Sequence, residues 1–124
     1  MDWATLTSRR LKQEPLDQGG WSVFQTAPFG TDLFNPAVHP YLRTNGRRGS
    51  IGWPTSPRIE ELRSAWLAAG DVTAQIKVAE QLQLQAFQDV PYIPLGQWFG
   101  PTAYRTDLQG MLTGLPLFWN IRRS

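Results

Sequence analysis

From Thr73 to Gln88 the chain carries an amphipathic pattern that most constrains what it can fold into. Ile76, Ala79, Leu82, Ala86 and Phe87 recur at helical spacing as one apolar stripe, and Gln75, Gln81, Gln85 and Gln88 cover most of the remaining surface. The pattern breaks on Asp89-Val90-Pro91. Proline lacks the N–H that a helix interior needs, and it drives the preceding residue out of helical geometry. Tyr92 to Trp98 therefore reads as extended, with Pro91 and Pro94 confining it to an edge. A helix that feeds such a segment needs a partner for its stripe.

The partner is the helix before it. Ser56 is suited to the N-cap, Pro57 to the first helical position, and Glu60 and Glu61 to the positive first turn. Ile59, Leu62, Trp66 and Ala69 repeat at helical spacing, Gly70 is a C-terminal stop, and Asp71 caps the next helix. The short Ala69–Val72 link predicts an antiparallel pair. Upstream, Asp2 to Lys12 reads as a short helix with Trp3, Leu6 and Leu11 near one face. Arg9, Arg10 and Lys12 complement its C-terminal dipole, and Pro15 and Gly19-Gly20 stop it. Trp21-Ser22-Val23-Phe24 reads as a buried strand, and Ala103-Tyr104-Arg105 and Leu108 to Leu112 as two further extended pieces. The apolar tail from Leu115 to Ile121 is expected to dock. Ala27 to Pro57 reads as irregular apart from one helical turn starting at Asn35-Pro36-Ala37-Val38. A loop of that length implies a segment that lies against something larger. The fold class is thus α/β, two antiparallel helices packed on short strands.

Composition then narrows the function. At 124 residues the chain is one domain's worth or a piece of a larger domain, and 41% apolar with 18% charged residues is the balance of a folded protein. Six tryptophans suit cores, interfaces and ligand clefts alike. The formal charge is only +2, and the basic residues are dispersed. Arg43, Arg47 and Arg48 fall in a Gly-rich loop that reads as solvated, so a nucleic-acid partner, which would show steep salt dependence, is not expected. There is no cysteine for a disulfide or a thiolate metal site. No run approaches the roughly twenty apolar residues of a spanning helix. Met1-Asp2-Trp3-Ala4-Thr5-Leu6 lacks the basic and apolar regions of an export signal.

Catalytic chemistry is hard to assemble from these residues. His39 is a lone histidine between Asn35-Pro36 and Pro40, read as a loop or core residue rather than a zinc ligand. Nucleophile-elbow, phosphate-loop and His-Glu-x-x-His patterns do not occur, and Ser22, Ser50 and Ser56 have no base nearby in sequence. Glu60 and Glu61 are adjacent, so on a helix they diverge instead of forming an acid/base pair. Neither an enzyme nor a cofactor is expected.

Several short segments, in order, carry a resemblance. Asp2-Trp3-Ala4-Thr5-Leu6 with Arg9-Arg10, Gln18-Gly19-Gly20-Trp21, Leu33-Phe34-Asn35-Pro36 and Ile51-Gly52-Trp53-Pro54 come first. Pro57-Arg58-Ile59-Glu60-Glu61-Leu62, Gly70-Asp71, Val90-Pro91-Tyr92-Ile93-Pro94-Leu95-Gly96-Gln97, Ala103-Tyr104-Arg105 and Leu108-Gln109-Gly110 follow, and Phe118-Trp119-Asn120-Ile121 looks like a natural chain end. Over essentially its whole length the chain resembles the C-terminal part of the family 5 extracytoplasmic solute-binding proteins. These serve ABC importers of dipeptides, oligopeptides, glutathione, nickel complexes and related solutes.

The resemblance implies a partial lobe of a two-lobed periplasmic-binding-protein type II fold. Residues 1–18 would be a helix of the second lobe and 19–124 the C-terminal part of the first. Family members are several times longer and begin with an export signal, so the expectation is a fragment. The implied function is binding of a peptide-like small solute without catalysis, in partnership with an ABC permease in the membrane and, for the full-length family, in the periplasm. The implied ligand-binding residues are Gly20, Trp21, Ser22 and Phe24, on the strand that crosses between lobes. Many relatives place an acidic residue soon after the Gly-Trp pair to neutralise a peptide amino group; here Ser22-Val23-Phe24-Gln25 has none, and Asp32 lies further on. Helices that have lost most of their sheet expose apolar surface, which predicts self-association. The rival expectation is an independent interaction or oligomerisation module that binds no solute.

Overall fold

The computed structural model describes residues 1–114 and 117–124. Its described residues form a small α/β arrangement of three α-helices and a two-stranded antiparallel sheet. They divide into two compact units, Met1–Ile93 and Pro94–Ser124.

The first unit is organised by a helical hairpin. Helix α2 (Pro57–Ala68) starts as its sequence dictates: the Ser56 hydroxyl accepts the Ile59 N–H at 3.2 Å, and Pro57 occupies the first turn. Helix α3 (Val72–Asp89) is capped by Asp71, whose carboxylate accepts the Ala74 N–H at 2.8 Å. The pair is antiparallel, because the hydroxyl of Ser56 at the start of α2 donates to the Asp89 carboxylate at the end of α3, 2.5 Å away. Gly70 does not act as the stop. Helix α2 ends a residue earlier, at Ala68, because Ala69 turns to extended geometry at φ −64° and ψ 130°.

The buried stripe of α3 is rotated from the one expected. Leu82 is 3% exposed, and Val78 and Ala86 pack beside it, whereas Ile76 is 54% and Phe87 72% exposed. Ile76 and Phe87 are the bulkier pair, but they lie outside the arc that faces α2. The core is Leu42, Ile59, Leu62 and Leu82, with Tyr92 packed against it. Leu42 belongs to the segment expected to be irregular. A strand was expected beneath the helices; instead, loop residues complete this core.

That loop is irregular yet tightly bonded. It holds single turns of 3-10 helix at Gly30–Leu33, Pro40–Leu42 and Gly46–Arg48. The Asn35 side chain accepts the N–H groups of Ala37 and Val38, which makes the helical turn expected there. An isolated bridge joins Asn45 to Thr55. Thr44 is 1% exposed; its hydroxyl reaches the Ser56 carbonyl at 3.0 Å, and its N–H meets the Glu60 carboxylate, which also pairs with Arg63 at 2.9 Å. Glu61 turns away to Arg58, so the two adjacent glutamates do diverge. The loop thus lies on α2 of its own chain. Arg43, Arg47 and Arg48 are exposed, as a solvated loop requires.

At the α3 exit Val90 adopts φ 48°, in the left-handed region, and donates its N–H to the Ala86 carbonyl at 2.9 Å. A β-branched residue seldom sits there, at a cost on the order of 1–3 kcal/mol. Pro91 closes the helical alternative, and Tyr92 bends back to the core.

In the second unit, β1 (Leu108–Gln109) pairs antiparallel with β2 (Arg122–Arg123), Leu108 opposite Arg123. Gly110 beside it needs φ 80° and touches the Asn120 carbonyl so closely that a Cβ would overlap it. Asp107 binds Arg105 at 2.8 Å, which lowers the aspartate pKa and raises that of the guanidinium. The strand at Arg122–Arg123 was not anticipated, because two adjacent arginines carry no strand signal. Ala103–Arg105 and the 92–98 segment form no strand; the latter lacks a ladder partner among the described residues and stands exposed from Ile93 on, with Leu95 78% accessible. Leu115 and Pro116, at the head of the tail expected to dock, lie outside the described residues. Further on, Phe118 and Trp119 are 72% and 84% exposed rather than docked. No helix among the described residues is long and apolar enough to cross a membrane.

Candidate functional site

Helix α1 (Trp3–Arg9) is fixed by its N-cap. The Asp2 carboxylate accepts the Thr5 N–H at 2.9 Å and the Thr5 hydroxyl at 2.6 Å, and these bonds hold the Asp2 pKa below the usual carboxylate value. The chain then reverses through a 3-10 turn at Leu16–Gln18. Gly19 follows at φ 91° and Gly20 is buried. Gly20 donates to the Pro15 carbonyl at 3.0 Å, and a Cβ there would overlap the Glu14 carbonyl. The Gly-Gly pair is therefore required by a left-handed turn followed by a close backbone approach.

This reversal lays Trp21 against the helix it has left. The Trp21 indole N–H donates to the Arg10 carbonyl at 2.9 Å, and the Arg9 guanidinium donates to the Gly20 carbonyl at 3.3 Å. Trp21 packs edge-on against Phe24 at 4.7 Å between ring centres, and tilted against Trp53 at 5.9 Å. The Trp21–Phe24 contact excludes the strand expected here. Side chains three residues apart on a strand point to opposite faces, whereas these two rings touch. The segment also has no pairing partner among the described residues.

A cavity of about 260 Å³ opens between α1 and this segment. Three of the four expected site residues, Trp21, Ser22 and Phe24, line it. Gly20 does not; it contributes the carbonyl that holds Arg9. Leu6 and Leu16 add apolar wall, and Arg9 and Arg10 add positive charge. The arginines had been read only as complements to the helix dipole. The signal that places them here is the Gly19-Gly20 reversal, which folds Trp21 back onto their turn. The Nε of Arg10 is buried without a hydrogen-bond partner among the described residues, and an unsatisfied buried donor costs about 1–3 kcal/mol.

A second cluster surrounds His39, which is 7% exposed. Its Nε2 lies 3.2 Å from the Tyr92 hydroxyl, and the His39, Tyr41 and Tyr92 rings sit 5.3–6.1 Å apart. Burial depresses the His39 pKa, aided by the positive charge of Arg63, and burial raises that of Tyr92. The Nδ1 of His39 has no hydrogen-bond partner among the described residues. This buried loop histidine serves as an anchor for the chain leaving α3. Among the described residues no group of histidine, cysteine, aspartate and glutamate is placed to hold a metal ion.

No family model matches the chain. Over 124 residues, 99% of its length, it is 36% identical to a probable peptide ABC transporter periplasmic-binding protein of Sinorhizobium fredii. The family resemblance holds from end to end. The chain spans 23% of that relative's length.

Proposed function

We propose that the chain is part of the solute-binding component of an ABC importer for peptides or related small solutes, binding its ligand without catalysis and delivering it to a membrane permease from the periplasm. The observation that carries this reading is the 36% identity across 99% of the chain to a probable peptide-binding component. In this reading helices α2 and α3 and the loop core belong to one lobe of a two-lobed periplasmic-binding-protein type II fold. Residues 1–18 are a helix of the second lobe and 19–124 the C-terminal part of the first. Trp21, Ser22 and Phe24 contribute to the ligand wall, with Gly20 shaping the backbone behind them.

Titration with short peptides and glutathione, followed by tryptophan emission, tests this. Saturable quenching is expected because Trp21 lines the cavity. A flat response to all of them would overturn the reading.

One observation favours a second reading, an interaction module that binds no solute. Phe34, Phe99 and Trp119 are 83%, 90% and 84% exposed, an unusual load of bare aromatic surface. A defined oligomer together with a flat peptide titration would select it.

A further inference from the structure

Trp53 stands in a backbone conformation that its side chain disfavours. Its φ is 53°, in the left-handed region, directly after Gly52 at φ 104° and directly before Pro54. Glycine takes that region freely, whereas a tryptophan there is strained and persists only where the surrounding structure over-determines it. Here it does. Trp53 donates its N–H to the Ser50 carbonyl at 2.9 Å, and the N–H and hydroxyl of Ser50 both donate to the Arg43 carbonyl, at 2.8 and 3.1 Å. On the other side the Pro54 carbonyl accepts the Gly46 N–H at 3.0 Å, and the Asn45–Thr55 bridge follows. A turn clamped on both sides holds a bulky ring where a glycine would sit without strain.

What this conformation gains is a contact with Trp21. The two indoles lie 5.9 Å apart at a 43° tilt, and a Cβ built on Gly52 would come within 3.9 Å of the Trp21 ring. Trp21 is thereby held from more than one side. The Arg10 carbonyl pins its N–H, which fixes one atom of the ring and leaves its tilt free. Phe24 meets it edge-on, but Phe24 itself lines the cavity between α1 and this segment and would be shared with a ligand. Trp53 does not line that cavity. It is the aromatic support that an occupied cavity would leave in place.

We propose that Trp53 is a positioning residue for the cavity: it sets the tilt of the Trp21 ring, and the strained turn at Gly52-Trp53 is what presents it. Trp53 acts through Trp21 and not by touching the ligand. The inference rests on the solute-binding reading above and adds to it the residue that keeps the aromatic wall in place before a ligand arrives. A wall held ready in this way spares the ligand the cost of ordering it.

The test combines far-UV circular dichroism with calorimetry on the full chain. Two indoles at this distance and tilt couple their transitions, so the unliganded chain is expected to show an exciton couplet that Trp21→Phe and Trp53→Phe each abolish. No couplet, or one that survives Trp53→Phe, overturns the positioning role while leaving the solute-binding reading intact. Calorimetry with trialanine and with glutathione then reads affinity independently of any tryptophan. Trp53→Leu is expected to weaken binding of whichever of the two the unaltered chain takes by about three- to tenfold, the ratio of one lost aromatic contact. Trp53→Phe, which keeps a ring, is expected to retain most of the affinity. A lowered urea midpoint at unchanged affinity in Trp53→Leu would make the residue merely structural and overturn the proposal. Loss of the couplet when the unaltered chain is saturated with peptide overturns it too, and needs no variant to fold. Absence of binding by the unaltered chain removes the solute-binding reading and this inference with it.

Discussion

Ser56 has two roles where α2 begins: its oxygen accepts the Ile59 N–H, and its hydroxyl proton goes to Asp89. Ser56→Ala removes both, and the expected loss is about 1–2 kcal/mol of stability, read as a lower urea midpoint at unchanged slope. His39 sets a pH dependence. Its pKa is depressed in the folded chain from an ordinary value near 6.5, so the unfolded chain binds the proton more readily. Its contribution is therefore fully present above about 6.5 and is lost as pH falls through that value toward the folded pKa. A thermal midpoint that drops between pH 7 and 5.5, with the drop reduced in His39→Gln, is the expected result. At this scale much was readable in advance. Ser56, Pro57 and Asp71 occupy their capping positions because a cap is a local event, decided within four residues. The burial of His39 against Tyr92 was not readable, since 53 residues separate the two.

Among the elements, α3 shows where periodicity stops informing. Its stripe was legible as helical, but two arcs about the same axis compete. Ile76 and Phe87 define the more apolar arc, while Val78, Leu82 and Ala86 define the buried one. Hydrophobicity ranks the residues, but α2 and Leu42 choose the face. Leu82→Ala is expected to cost about 2–5 kcal/mol. Ile76→Ser, six residues away on the same helix, is expected to stay within about 0.5 kcal/mol. Chemical denaturation of both variants checks the rotation directly, and equal losses would restore the stripe first read from the sequence. The expected strand at Trp21–Phe24 failed for a related reason. Apolar composition without strict alternation does not distinguish a strand from a turn that stacks two rings. Trp21, Ser22 and Phe24, the residues expected in a site, line the cavity, whereas the arginines that also line it were not expected there, because only the chain reversal brings them near.

For the molecule as a whole, the described residues bury few side chains deeply. Leu42, Ile59, Leu62 and Leu82 are the buried apolar residues, while Leu95, Phe99 and Trp119 are each at least 78% exposed. Apolar surface on that scale drives association. Sedimentation at micromolar concentration is expected to show species larger than a 14.0 kDa monomer, dissociating on dilution. A clean monomer would contradict it. The chain spans 23% of the length of the relative it matches.

The hydrogen bond from Ser56 to Asp89 also sets an order of events. It closes a stretch of only 33 residues, and closing so short a loop costs little chain entropy. Both helices inside it carry their own caps, and all their mutual contacts fall within that stretch. Low contact order speeds assembly. The hairpin is therefore the piece of this chain able to nucleate first, offering Leu42 and Tyr92 a ready surface on which to condense.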